Sequence, residues 1–136
     1  MRTSVLAVPA ILALSAACAP TADRVDRDGT PPAARQCFSP SQVDNFRQGR
    51  PDQVFLRVGR GDVYELNAAG GCQDLSFATR LAIVPDGGSV GTRLCTDDWA
   101  RIVVPGSTTE TTVCRVRISR KLTPEEIAAL PPAHRP

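Results

Sequence analysis

Apolar and polar residues alternate in several places along this chain, and each alternation predicts a strand. From Gln53 to Leu66, Val54, Leu56 and Val58 interleave with Phe55 and Arg57, Gly59 to Asp62 supply a turn, and Val63-Tyr64-Glu65-Leu66 runs back. Period-two patterning on both sides of a Gly-containing turn is the signature of a β-hairpin. Leu81-Ala82-Ile83-Val84 is a shorter apolar run stopped by Pro85-Asp86-Gly87-Gly88, and Arg101 to Val104 is another, stopped by Pro105-Gly106. Between Thr111 and Ile118, Val116 and Ile118 face one way while Arg115 and Arg117 face the other. A helical signal occurs near the end. Thr123 is placed to cap, Pro124 to open the first turn and Glu126 to close a capping box, with Pro131-Pro132 as the stop. The expected fold is mainly β, a small antiparallel sheet or open barrel of about five strands with a short C-terminal helix.

The N-terminal region follows other rules. Val5 to Ala17 carries no charge and follows Arg2. A membrane-spanning helix needs about 20 apolar residues, more than this run offers, so the pattern fits an export leader. Its end, Ser15-Ala16-Ala17-Cys18, resembles the lipobox of bacterial lipoprotein precursors, in which the cysteine becomes the lipid-bearing first residue. The usual Leu three places before that cysteine is Ser15 here, with Leu14 one step further back. Residues 1–17 are thus expected as a lipoprotein signal peptide and Cys18 as the lipidation site. Ala19, where an Asp would favour retention in the inner membrane, points to the periplasmic face of a Gram-negative outer membrane. Residues 18–36 are rich in Pro, Ala and alternating charge, with Val25 as the single large apolar side chain, and read as a disordered tether. Residues 37–130 then form one β-rich domain and 131–136 a flexible tail.

The chain has five cysteines. With Cys18 acylated, Cys37, Cys72, Cys95 and Cys114 remain, an even set suited to disulfides in an oxidising compartment. A domain of this size is marginal on hydrophobic burial alone, which gives the cross-links a structural task. Three connectivities are open; the working expectation pairs Cys37 with Cys114 and Cys72 with Cys95. The cysteines lie too far apart for the close pairs of a zinc site, so neither metal nor cofactor is expected.

The stretches Cys37-Phe38, Phe46-Arg47, Leu56-Arg57-Val58-Gly59-Arg60, Asp62-Val63-Tyr64, Gly71-Cys72, Asp74-Leu75, Cys95, Cys114-Arg115-Val116 and Arg120-Lys121-Leu122-Thr123-Pro124-Glu125-Glu126 resemble a family of small bacterial lipoproteins known as domain of unknown function 6491. Gly71 and Gln73 stand beside Cys72 where a Pro would be expected. The resemblance implies the lipid anchor and the four-cysteine framework and implies no activity.

Residue chemistry narrows the function classes. The one histidine, His134, follows Pro131-Pro132, away from any site that would hold an imidazole for acid–base work. Gly87-Gly88-Ser89-Val90-Gly91 spells G-x-S-x-G, but no helical pattern follows it as a nucleophile elbow requires, and no Gly-rich loop leads into a helix. Lys and Arg number 16 against 14 Asp and Glu, too even a balance for a nucleic-acid binder. Arg60-Gly61-Asp62 spells the tripeptide that integrins read, but Gly and Asp at that place suit a turn. Two groups of residues are left as candidate binding sites: Asp97, Asp98 and Trp99, and the strand-borne Arg115 and Arg117 with Arg120 and Lys121 beyond them. The reading favoured by sequence is a non-catalytic binding or scaffolding domain, held to the membrane by a lipid and meeting an envelope protein or anionic lipid. The alternative is a small-ligand or cation module with Asp97, Asp98 and Trp99 at a barrel rim.

Overall fold

The structure, a computed structural model, describes residues 34–72, 74–87, 93–105 and 112–136. The expected leader, Cys18 and the tether as far as residue 33 lie outside the described residues, as do Gly88, Gly106 and Thr111.

Among the described residues the fold has eight strands and one α-helix. They are β1 (Cys37–Phe38), β2 (Val43–Gln48), β3 (Gln53–Val58), β4 (Asp62–Ala68), β5 (Ala82–Pro85), β6 (Leu94–Cys95), β7 (Trp99–Val104), β8 (Thr112–Lys121) and α1 (Pro124–Ala129). Six strands form an antiparallel sheet in the order β2-β3-β4-β8-β7-β5, curled into a half-barrel, and β1 pairs with β6 in a sheet of their own. The mainly β, helix-ended, disulfide-linked fold is as the sequence predicts, with more strands than expected.

The hairpin forms where the alternation places it. Val54, Leu56 and Val58 pair with Leu66, Tyr64 and Asp62, and Gly59, with a φ of 57°, takes up the left-handed backbone that turns the chain. Alternation then separates the two faces of the sheet. The concave face buries Val54, Leu56, Leu66, Ala100, Ile102, Val116 and Ile118, closed from the other side by Phe38, Leu94, Cys72 and Leu75. On the convex face, Phe55 and Val63 pack with Leu122 under α1, joined by the partly buried Ile127 and Leu130.

A bulge near the C-terminal end of β8 makes that second cluster possible. Pairing runs Leu66 with Ile118 and then Glu65 with Arg120, which leaves Ser119 as an extra residue. One inserted residue switches the side-chain phase. Arg120 therefore projects from the convex face, where its Nε donates to Glu65 Oε2 at 2.9 Å and an Nη bonds Glu126 of α1. Leu122 reaches the same side.

The helix start is the capping box read from sequence: Glu126 N–H donates to Thr123 Oγ1 at 3.3 Å, and Thr123 N–H donates to Glu126 Oε2 at 2.8 Å. The bond from the Thr123 backbone, followed by that from Arg120, holds the Glu126 carboxyl below its ordinary pKa of 4.5. A depressed folded-state value means that this carboxylate stabilises the fold fully above its unfolded value and ceases to do so as pH falls through the lower folded value. Acid should therefore weaken α1, and Glu126→Gln should flatten the dependence of the melting temperature on pH below about 4.5. Thermal melts of both proteins across that range test this; parallel curves would contradict it.

The disulfides correct one expectation. Cys37 bonds Cys95 and Cys72 bonds Cys114, in place of Cys37–Cys114 and Cys72–Cys95. The reason lies in the small sheet, where Cys37 stands directly opposite Cys95 in the β1–β6 ladder. Cys114 points into the concave core opposite Ile102, within reach of the loop that carries Cys72 after β4.

Residues 131–136, read from sequence as a flexible tail, contain a 3₁₀ turn at Pro132–His134. Arg135 holds it against the end of α1 by donating to the carbonyls of Ala128 and Leu130, at 2.8 and 2.9 Å.

Candidate functional site

The convex face is roofed on one half only. α1 covers β3 and β4, whereas the outward positions of β7 and β8 carry Trp99, Arg101, Val103, Val113, Arg115 and Arg117 with no element over them among the described residues. Register sets the arrangement. Trp99 lies opposite Arg117, Arg101 opposite Arg115, and Val103 opposite Val113. Trp99 is 38 % exposed and Val113 56 % exposed.

Two arginines directly opposite each other repel. Asp86, in the turn after β5, relieves that repulsion. Its Oδ2 accepts from Arg115 Nε at 2.9 Å, and its Oδ1 lies 3.8 Å from Arg101 Nε. The guanidinium of Arg115 then lies over the Trp99 ring, 4.5 Å from its centroid, a cation–π contact that holds both side chains in place. On the other side of Trp99, an Arg117 Nη donates to Asp97 Oδ1 at 2.7 Å. Asp97 has a φ of 73°, a left-handed conformation that Asp tolerates better than most residues.

The structure therefore gathers Asp97, Trp99, Arg115 and Arg117, two separate groups in the sequence, onto one surface. Asp98 takes a different part. Its Oδ2 accepts from the Cys95 backbone N–H at 2.8 Å, its Oδ1 pairs with Arg35, and its backbone pairs with Ile118, so it fixes the turn before β7. With Asp97 bound to Arg117 and Asp98 bound to Cys95 and Arg35, the two adjacent carboxylates do not converge on a common point. Among the described residues, no three His, Cys, Asp or Glu side chains come together as metal ligands. Arg120 and Lys121 also separate from the surface. Arg120 ties down α1, and Lys121 Nζ lies 2.7 Å from Asp62 Oδ2 at the β3–β4 turn.

Arg101 and Asp86 belong to this surface and escape sequence reading. Arg101 was legible only as the first residue of an apolar strand. Asp86 looked like a turn former, and its place beside Arg115 depends on the pairing of β5 with β7. What the surface offers chemically is guanidinium donors. Arg115 uses Nε for Asp86, and among the described residues the Nη groups of Arg101 and Arg115 have no hydrogen-bond partner.

The profile of the Family of unknown function (DUF6491) matches residues 1–136, the whole chain. The chain belongs to DUF6491. Membership of a family of unknown function gives no residue a chemical role, so the site stands on its geometry. No curated protein and no solved structure matches the chain.

Proposed function

We propose that this DUF6491 protein is a lipid-anchored envelope protein whose folded domain is a non-catalytic binding module, and that the bare β7–β8 face receives an acidic protein surface. The observation that carries the reading is the Trp99–Arg115 stack with Arg101 and Arg117 around it. Three guanidiniums share two carboxylates, Asp86 and Asp97, which leaves the face cationic. Uncommitted Nη pairs suit bidentate carboxylates. Trp and Arg are also the residues that most often supply binding energy at protein interfaces.

The anchor is supported by the leader pattern and by cysteine counting. The other four cysteines bond one another, which leaves Cys18 with no cysteine in the chain to pair with. Burial raises Tyr64, hydrogen bonds to Glu126 and Asp62 raise Arg120 and Lys121, and Glu126 falls; each shift follows from a contact that holds the fold.

Two measurements test the reading. Cys18→Ser should release the protein from the membrane fraction and remove the acyl mass from the mature chain; unchanged membrane association would end the anchor proposal. Cross-linking in the native envelope should capture a partner through an acidic peptide, and capture should be lost in Arg115→Glu/Arg117→Glu. Capture that survives the charge reversal, or that follows anionic lipid alone, would overturn the assignment of the face.

A further inference from the structure

A pocket lies at the turn joining β3 to β4. It has a volume of about 410 Å³, and its lining includes Gln42, Val58, Arg60, Asp62, Tyr64 and Arg93. The Tyr64 ring, 3 % exposed, forms part of its wall and packs against Phe38 with ring centroids 4.6 Å apart. Val58 adds apolar surface beside them.

The charges do not cancel. Asp62 is matched by Lys121, 2.7 Å away. Arg60 and Arg93 have no carboxylate within ion-pair distance among the described residues, and the single hydrogen bond of Arg93 there runs from one Nη to the Cys37 carbonyl at 3.2 Å. Gln42 accepts the Ser39 N–H through its carbonyl oxygen, which leaves its amide NH₂ to donate. Two guanidiniums in excess, an amide donor and a nearby Tyr hydroxyl make a set of donors suited to an oxyanion. Two positive charges match the double charge of a phosphate monoester better than the single charge of a carboxylate. The volume also leaves room beside a phosphate for a small organic group against Val58 and the Phe38–Tyr64 rings.

We propose that this pocket binds a phosphate monoester, with Arg60 and Arg93 holding the phosphate and the Arg60-Gly61-Asp62 turn forming its lip. The lining includes none of Trp99, Arg101, Arg115 or Arg117, and although Arg93 also borders Asp86 and Trp99, Arg60 belongs to this pocket alone, so Arg60→Gln tests it apart from the binding face.

Amide NMR of the full chain, titrated with glycerol 3-phosphate and separately with sodium chloride at matched ionic strength, tests the proposal. Saturable shifts should appear at Gly59 to Asp62 and at Arg93 with the phosphate ester only. Arg60→Gln/Arg93→Gln should weaken the affinity by about ten-fold or more. Both arginines are exposed, so the variant should keep the remaining spectrum; the wild-type titration is decisive without it. Flotation of the Cys18→Ser protein, which carries no lipid of its own, with phosphatidylcholine vesicles, with and without phosphatidic acid, separates the sources of the ester. Phosphatidic acid-dependent flotation, competed by glycerol 3-phosphate and lost in the double variant, supports a lipid headgroup. Saturable shifts without flotation support a soluble ester. Shifts that fail to saturate, that chloride reproduces or that the double variant retains would overturn the site.

Discussion

Replacing Cys72 and Cys114 together by alanine is expected to remove most of the stability of the domain. The disulfide spans 42 residues, and on the chain-entropy account a loop of that length contributes about 4 kcal/mol. Cys72 and Cys114 are 2 % and 5 % exposed in the concave core, so removing their sulfurs also leaves a hole that the half-barrel must close. A domain of this size has about 5–15 kcal/mol in all, and the melting temperature should fall by about 15–30 °C. The Cys37–Cys95 disulfide spans 58 residues, and loop length alone would rank it slightly higher. Its cysteines are only half-buried and join a ladder of two residue pairs at the edge of the core. Cys37→Ala/Cys95→Ala should therefore cost less, and mild reductant should open that disulfide first. Melts of the two double variants decide the order. Equal losses, or the reverse order, would show that loop entropy outweighs burial here. Non-reducing peptide maps should return Cys37 with Cys95 and Cys72 with Cys114.

Reversing the charge of Arg115 and Arg117 is expected to abolish partner capture while leaving the fold nearly intact. Arg115→Glu/Arg117→Glu breaks the bonds to Asp86 and Asp97, removes the cation from the Trp99 ring and sets like charges against each other. Losing one partner of a desolvated charge pair at an interface costs about 2–5 kcal/mol, so partner affinity should fall by about 30-fold or more. Exposed ion pairs contribute about 0–1 kcal/mol each to folding, so the melting temperature should move by a few degrees only. A loss of binding without a loss of fold separates an interface from a merely structural ladder. Trp99→Ala should weaken capture as well, because the ring that orients Arg115 is gone. Capture by wild-type protein should decline with added salt as the charges of the face are screened. A large drop in melting temperature with capture unchanged would mean that the arginine–aspartate ladder serves the fold.

Local chemistry made part of this structure legible. The β3–β4 hairpin, β7, β8 and the capped α1 follow from alternation, from turn glycines and from a Thr123–Glu126 box closed within four residues. β1 and β6 are two residues each, too short to show a period, and the Cys37–Cys95 disulfide was hidden with them. β2 escaped because Val43-Asp44-Asn45-Phe46-Arg47-Gln48 is an edge strand with little burial to impose alternation on it. The extra residue at Ser119 is also silent in sequence, yet it turns Arg120 and Leu122 toward the helix. The site was legible as residue types and not as an arrangement. Asp97, Trp99, Arg115 and Arg117 stand out by charge and aromaticity. That they share one face depends on the register of β7 against β8, which sequence spacing leaves free, and Asp86 joins them only through the pairing of β5 with β7.

The central claim is that the face bearing Trp99 and Arg115 binds an acidic protein in the envelope. A photo-cross-linking side chain at Val113, exposed on that face, tests it most directly, with a second placed at Phe77, 87 % exposed and outside it, as the control. The account predicts one protein band from position 113, joined through an acidic segment, absent from position 77 and lost in Arg115→Glu/Arg117→Glu. The same band from both positions, or no protein captured from 113 in intact envelopes, would contradict it.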